Sequence, residues 1–339
     1  MIGVGIIGLG LAVKPHALAL RDLEAAGRVR VVGGSAPSEA RRAAFAAAWG
    51  WPAFDGVAAL LAAPGLDLVL ILTPPRTHLP LAEQALAAGK HILVEKPVEW
   101  DAARAAALVQ AARQSGRRAG VVFQHRFRPA AMRLKQVISE GGLGEILSAS
   151  ASIRWWRDEA YFAAPGRGMQ ARDGGGVLLT QAIHSIDLLL HLAGPVVGVR
   201  GIARTSPLRA IDTEDIAAAA LRFANGAIGA VDATTVARPG FPERIEIAGT
   251  RGSAALVAER LDLHREGEAP EILDRGSAGG GGADPMAFDH GPHRAMISEM
   301  LDAIAQRRDP ANGIATGLPV QRLIEAWIAS SASGQEEAP

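Results

Sequence analysis

Residues 93–97 read Leu-Val-Glu-Lys-Pro: an apolar run, His91–Val94, ends abruptly in a carboxylate, an ammonium and a residue without a backbone N–H. Two opposite charges there are either a surface ion pair, which suffices for an isolated Glu-Lys-Pro, or groups presented at a strand's carboxyl end, where open parallel sheets bind ligands. A second candidate is Gly8-Leu9-Gly10-Leu11-Ala12-Val13, between the first apolar run and the first helical segment. Gly8 permits a tight turn, and Gly10 lets the backbone approach a pyrophosphate at a helix N-terminus. The third glycine of a GxGxxG pattern, which allows close helix–strand packing, is replaced by Val13. Taken alone, two glycines are also a common strand-ending turn.

A dinucleotide site needs a group for the adenosine ribose at the end of the second strand. After Val29–Gly34 no carboxylate occurs before Glu39; Ser35 and Ala36 occupy that place, with Arg41 and Arg42 close behind. A small residue followed by a cation suits the 2′-phosphate of NADP, which a carboxylate would repel. The alternative is that both arginines are the solvated face of a helix. No His-x-x-x-His or acidic cluster suggests a metal site. With no cysteine, thiol catalysis, disulfides and thiolate ligands are excluded, and a reducing cytoplasm is the expected compartment.

Positioning these groups requires a scaffold, and the chain has 339 residues, 49% of them hydrophobic, enough for two domains. Lys+Arg and Asp+Glu are equal at 35 each, so no charge excess argues for nucleic acid. The start lacks the pattern of a signal peptide and no run of about 18 uninterrupted apolar residues occurs, so a soluble protein is expected. Through residue 123, β-like runs (Gly3–Gly8, Val29–Gly34, Leu68–Thr73, His91–Val94, Ala119–Phe123) alternate with helical segments (Pro37–Trp49, Leu79–Ala88, Ala102–Gln114). Unbroken apolar strands between helices predict a parallel sheet covered on both faces. Beyond that, a helical stretch at Ala130–Glu140 precedes alternating runs at 145–153, Asp215–Phe223, Ala227–Val236, Arg244–Ala248 and Ser253–Val257, with a hairpin signal at Asn225-Gly226. They predict a mostly antiparallel sheet. Helical patterns return at His293–Gln306 and Leu318–Ser330, and the glycine-rich run 276–285 is expected to be a mobile loop.

With these motifs in order, the chain resembles the glucose–fructose oxidoreductase/inositol dehydrogenase (Gfo/Idh/MocA) family nearly end to end. The resemblance is carried by GIIGLG with His16 on the first helix, Leu72–His78 (LTPPRTH), Ala88–Pro97 (AGKHILVEKP), Phe123–Pro129 (FQHRFRP), Leu143–Ile146 (LGEI) and Gly174–Gly194 (GGGVLLTQAIHSIDLLLHLAG). It implies an α/β protein: an N-terminal Rossmann dinucleotide-binding domain, 1–123, and a C-terminal α/β domain, 124–339, with an open, mostly antiparallel sheet that often forms the oligomer interface. The last helices are free to pack back on the first domain. The expected partners are a small-molecule sugar or derivative and further copies of the chain in a homodimer or homotetramer, with neither nucleic acid nor membrane. The resemblance places NADP, or alternatively NAD, against Gly8, Leu9, Gly10, Leu11, Ala12, Ser35, Ala36, Arg41, Thr73, Pro74, Pro75, His78, Glu95 and Lys96. The Lys96–Pro97 bond is a candidate for the cis isomer.

The implied reaction is hydride transfer between the nicotinamide and a hydroxyl or carbonyl of a sugar, polyol or sugar derivative. Lys96 would hydrogen-bond the substrate oxygen and stabilise alkoxide charge, and His184 would accept or deliver the proton. A histidine on such a helix is otherwise more often structural; the resemblance reverses this for His184 but not for His191. Where the family commonly has aspartate four residues before this histidine, the chain has Thr180. Asp187, one turn after His184, either faces it or ties the helix to a neighbouring loop. Trp156, Arg167 and Thr180 complete the expected substrate contacts; of the adjacent Trp155 and Trp156, one can face a given side. The competing reading, from a different class, is a non-catalytic dinucleotide-binding sensor.

Overall fold

A computed structural model describes residues 1–274 and 289–339, so the glycine-rich run 276–285 lies outside the described residues. The chain divides into two compact units, one of Met1–Gln124 with His290–Leu318 and the other of His125–Asp289 with Pro319–Pro339.

In the first unit, β1 (Ile2–Ile7), β2 (Val29–Ser35), β3 (Ala53–Phe54), β4 (Leu68–Ile71), β5 (His91–Val94) and β6 (Ala119–Val121) form a parallel sheet in the order β3-β2-β1-β4-β5-β6. Every residue of β4 is fully buried, as strands covered on both faces must be. The connecting helices are α1 (Val13–Ala25), α2 (Glu39–Trp49), α3 (Val57–Leu61), α4 (His78–Ala87) and α5 (Ala102–Ser115). Local signals set their ends. The Asp101 carboxylate accepts the Arg104 N–H at 2.7 Å to start α5, and left-handed Gly116 stops it; such a cap contributes about 1 kcal/mol. The strand order reverses between β1 and β4, so the turn after β1 and the segment after β4 flank the switch point where doubly wound sheets bind ligands.

The helix Gly291–Gln306 packs on α1, with the His16 and His293 rings edge to face at 4.9 Å. Asn312 then pairs with β6, accepting the Val121 N–H at 2.9 Å and donating its side-chain amide to the Val121 carbonyl at 2.8 Å. A chain boundary after residue 123 therefore leaves out a returning segment, 290–318, that belongs with the first unit.

In the second unit, β7 (Ile146–Arg154), β8 (Val196–Arg204), β9 (Ile216–Phe223), β10 (Ile228–Thr234), β11 (Arg244–Gly249), β12 (Gly252–Val257), β13 (Arg260–Arg265) and β14 (Glu271–Leu273) form a sheet in the order β14-β13-β12-β11-β7-β10-β9-β8. All neighbours are antiparallel except β7 and β10. One face of the central strands is buried through Ala151, Val231, Leu221 and Ile245; α6 (Pro129–Ser139) and α9 (Ile183–Ala193) pack in this unit. On the opposite face Ala218, Ala220, Ala230 and Ile228 are exposed. Between β7 and α9 lie the short helices α7 (Glu159–Phe162) and α8 (Gln170–Asp173).

The sequence reading omits β3, β8, β13 and β14. β3 and β14 are too short to carry a period, and a bulge between Val196 and Gly198 breaks the alternation of β8. The helical run Gln170–Ala193 is long and apolar enough, by length and composition, to cross a membrane, but 83% of its most apolar stretch is buried in the protein, as in a core helix.

Candidate active site

The glycine turn is built by β1 and α1. Gly8 adopts φ 101°, a conformation that L side chains rarely take, and a Cβ there would sit 2.7 Å from the Leu72 backbone. Its N–H donates to the Ser35 carbonyl at 2.9 Å, which joins the turn to the end of β2. At Gly10 a Cβ would meet nothing within 4 Å, so the protein's own packing does not demand glycine there. α1 also starts after Ala12 without a side-chain cap; the Val13 N–H donates to the Gly10 carbonyl at 3.2 Å and Pro15 has no N–H, so within Val13–Pro15 the N–H left to an incoming anion is that of Lys14. The Leu9 side chain is buried and Leu11 is exposed, so the loop meets a ligand mainly through its backbone.

At the end of β2, Ser35 is 1% exposed and its hydroxyl has no partner among the described residues. Leaving such a group unmatched costs about 1–3 kcal/mol, and it lies where the adenosine ribose of a dinucleotide belongs. Arg42 is committed: it donates to the Ala36 carbonyl at 2.8 Å and pairs with Asp55 at 3.1 Å. Arg41 is exposed on the first turn of α2 and makes no ion pair among the described residues. The open approach at Gly10, the uncapped helix and the unmatched Ser35 hydroxyl together fit a dinucleotide.

After β4, Thr73 and Pro75 are half-buried and Pro74 is exposed. His78 is different. It is fully buried, with Nε2 2.8 Å from the Thr73 carbonyl oxygen and Nδ1 3.1 Å from those of Pro97 and Val98. Its side chain braces the two loops against each other. Glu99, also fully buried, accepts the Leu79 N–H at 2.8 Å and pairs with Arg104, fixing the same loop to the start of α4.

The Glu-Lys-Pro segment sits at the carboxyl end of β5, and the Lys96–Pro97 bond is cis. Glu95 is turned mostly inward, its side chain 14% exposed. One carboxylate oxygen lies 2.9 Å from Nε2 of the fully buried His16, and the other accepts the Lys96 backbone N–H at 3.0 Å. Burial opposes ionisation of Glu95, but the hydrogen bond and charge of His16, and then the charge of Lys96, hold its pKa below the ordinary value. Glu95 thus fixes the backbone from which half-buried Lys96 projects.

In the second unit, His184 stands on α9, directly after a π-turn at Leu178–Ala182. Such turns are frequent at functional sites. The imidazole is 9% exposed and stacks on His125, centroids 4.9 Å apart. Arg128 donates to Nε2 of His125 at 2.8 Å and to Glu243 at 2.5 Å. Because a guanidinium only donates, His125 Nε2 accepts and a neutral ring carries its proton on Nδ1. Asp187 does not take the place of the family carboxylate. It is 1% exposed and makes a two-pronged ion pair with Arg126, Nε to Oδ2 at 2.7 Å and Nη2 to Oδ1, tying α9 to the turn at 124–127. Burial pushes its carboxyl up to about 6 against the pull of Arg126. His191 is held down to about 4 by burial and by the charges of Arg126 and Lys135, so it is neutral at pH 7.

A narrow cleft lies in this unit, with about 10 Å³ open to a water-sized group. Arg167 and Thr180 line it, together with Tyr161, Phe162, Gln181 and Glu214. The Thr180 hydroxyl is 2.7 Å from the Gly176 carbonyl and 2.5 Å from Gln181 Oε1; Gln181 Nε2 donates to the Tyr161 hydroxyl at 2.9 Å. A Cβ on Gly176 would fall 1.8 Å from the Glu214 carbonyl oxygen, so only glycine lets the two segments meet. Trp156 is not in the cavity wall. Its ring lies near Arg209 and Arg238, at 5.4 and 4.2 Å, while Trp155 is core. The aromatic wall is Tyr161 and Phe162 instead, because the strand ends after Arg154 and the chain turns into α7.

The sequence reading did not select Tyr161, Gln181, Glu214 or His125. Tyr161, the chain's one tyrosine, lies in the aromatic stretch Ile153–Phe162 and was within reach. Glu214 was not, since only folding brings it to Gly176, 38 residues away. Among the described residues no group of three or more His, Asp or Glu is arranged to hold a metal ion.

Residues 2–123 match the family described as an oxidoreductase family with an NAD-binding Rossmann fold, and residues 131–255 match the GFO/IDH/MocA C-terminal domain. The inositol 2-dehydrogenase of Rhizobium meliloti (strain 1021) is 30% identical over 260 residues, 76% of this chain and 76% of that protein. A levoglucosan dehydrogenase solved with NADH and levoglucosan is 26% identical with a TM-score of 0.89, covering 99% of this chain and 98% of that one. The WlbA dehydrogenase from Bordetella pertussis, solved with NADH and UDP-GlcNAcA, is 27% identical with a TM-score of 0.86, covering 100% and 98%.

Proposed function

The chain belongs to the GFO/IDH/MocA family of NAD-binding oxidoreductases, and from this premise we infer that it transfers a hydride between a nicotinamide dinucleotide and a hydroxyl or carbonyl carbon of a sugar, polyol or sugar derivative. It is an NAD(P)-dependent dehydrogenase or reductase acting on CH–OH groups, the enzymatic of the two readings the sequence raised. The observation that carries this reading is the first unit's sheet, which sets the uncapped start of α1 behind Gly8 and Gly10 and places Lys96 at the carboxyl end of β5.

The nicotinamide, when bound, supplies or accepts the hydride. We assign Lys96 to hydrogen-bond the reacting oxygen and stabilise its negative charge in the transition state, with Glu95 holding its backbone. His184 takes the hydroxyl proton in oxidation and returns it in reduction. The sugar and inositol substrates in the relatives' names support a polyhydroxylated substrate. A cofactor-reduction screen over aldoses, polyols, uronic acids and nucleotide sugars tests this; no turnover with any of them sinks it.

Within this activity we propose that NADP(H) is preferred. The support is the absence of a carboxylate after β2, the unmatched Ser35 hydroxyl and the uncommitted Arg41. We also propose a homodimer or homotetramer assembled through the exposed face of the eight-stranded sheet. Its small Ala218, Ala220 and Ala230, with Ile228, leave a smooth surface for a second copy. Light scattering should give a mass of two or four chains, reduced by Ala220→Arg; a monomeric parent protein would refute it.

A further inference from the structure

We propose that His125 is a positioning residue for His184: Arg128 locks its ring in the neutral state, so that within the stacked pair His184 alone takes up and releases a proton. The proposal rests on the sugar oxidoreductase reading, in which His184 moves the hydroxyl proton, and adds a second histidine to that step.

The run Phe123–Pro129 brings His125, Arg126 and Arg128 close together, and packing sends them to different partners. Arg126 turns to Asp187. Pro129 opens α6 and holds Arg128 in extended backbone, φ −67° and ψ 133°. The Arg128 N–H donates to the His125 carbonyl at 3.3 Å, closing a turn that sets these two side chains side by side. From that turn the buried His125 ring stacks on His184, centroids 4.9 Å apart and planes 26° from parallel. The two ring faces meet, so turning either one means repacking the other.

Two stacked imidazoles ordinarily compete for a proton, because a charge on either opposes a charge on the other. Arg128 settles that competition. It donates to Nε2 of His125 at 2.8 Å, and a guanidinium has donors only, so Nε2 must keep its lone pair. Protonating Nε2 would break this bond and set an imidazolium against a buried guanidinium. Arg128 is itself held by buried Glu243 at 2.5 Å, with Glu259 at 3.8 Å, so swinging it away would strand a carboxylate. The neighbouring charges of the unit leave this arrangement intact. On α9, Asp187 is paired with Arg126 and His191 is neutral at pH 7. On α6, Lys135 donates to the His191 carbonyl at 2.7 Å. Glu214 accepts the N–H groups of Gly176 and Leu178, each at 3.0 Å, where the helical run toward α9 begins. The strands packed against α9, β7 and β11, bury Ala151, Ile153, Ile245 and Ile247, none of which titrates.

The test begins with NMR titration of the full chain, which needs no substrate. Isotope labelling of histidine alone, on a deuterated background, resolves the nine histidines, and His125→Phe and His184→Gln assign the two signals. From about pH 5 to 8, where an unperturbed histidine changes charge, His125 should keep its proton on Nδ1 throughout while His184 titrates in a single step. Arg128→Met combined with Glu243→Gln, which removes both partners of the buried pair, should let His125 titrate and split the His184 transition in two. Should that variant not fold, the titration of the parent protein decides by itself. A parent His125 that titrates or carries its proton on Nε2 overturns the proposal, as does a His184 that never changes charge. With a sugar that turns over, His125→Ala should lower kcat by about 10- to 100-fold at little changed KM, the scale of a misplaced reacting group. His125→Phe, which keeps an aromatic face, should recover part of that loss; equal losses in both, or an effect on KM alone, also overturn the proposal. A locked His125 beside a titrating His184, in a protein that turns over no sugar, supports the lock and counts against the oxidoreductase reading.

Discussion

The ion pair between Asp187 and Arg126 separates a structural from a catalytic role for the one carboxylate within a turn of His184. Replacing Asp187 with Asn keeps the size of the side chain and leaves the Arg126 charge, itself 8% exposed, without its carboxylate. Removing one partner of a buried pair costs about 3–5 kcal/mol. For a unit of this size each kcal/mol moves Tm by about 2–4 °C, so a fall on the order of 10 °C is expected. The double variant Arg126→Met, Asp187→Leu should recover much of that loss, because it buries no lone charge. Differential scanning calorimetry gives the stability, and kcat measured well below the transition gives the chemistry. If Asp187 only ties α9 to the turn at 124–127, Tm falls far while kcat at low temperature changes by less than about tenfold. A variant with Tm within about 2 °C of the parent and kcat reduced 100-fold or more would refute this and make Asp187 part of the proton path.

Four further outcomes are expected. NADPH should bind more tightly than NADH by roughly 1.5–3 kcal/mol, the worth of a charge-assisted phosphate contact; fluorescence titration checks it, and Arg41→Ala should narrow the gap. Lys96→Ala and His184→Ala should each lower kcat by at least about 100-fold with cofactor binding retained, the usual scale for groups that move or stabilise a proton; near-normal turnover removes the residue from the mechanism. Thr180→Asp should raise the pKa of His184 and move the acidic limb of the kcat/KM profile upward in alcohol oxidation; a limb that stays put, with the fold intact, means the two side chains do not face each other. His191 is held at about 4 against an ordinary 6.5, so its contribution to stability is present above pH 6.5 and is lost as the pH falls toward 4. With partial exposure discounted, roughly 1–2 kcal/mol should disappear between pH 7 and 5, measured by urea unfolding, and His191→Asn should flatten that slope.

The parallel sheet and the glycine turn were legible because their causes are local. Strands covered on both faces read as continuous apolar runs, the left-handed Gly8 needs a residue without a side chain, and Ser38 and Asp101 cap helices from one position away. The ends of β5 and of the helix carrying His184 were legible for the same reason, helped by motif order along the whole chain. What escaped was the pairing of side chains distant in sequence. Glu95 meets His16 across 79 residues, Arg126 meets Asp187 across 61, and Glu214 closes on the start of the helical run across 38. No periodicity encodes such partners, because any acid and any base along the chain are equally able to pair until packing places them and burial makes an unmatched charge costly. The same holds for residues whose type suggested one role and whose surroundings assign another. Asp187 has the chemistry to polarise a histidine, but the guanidinium beside it, supplied by another segment, makes it a brace.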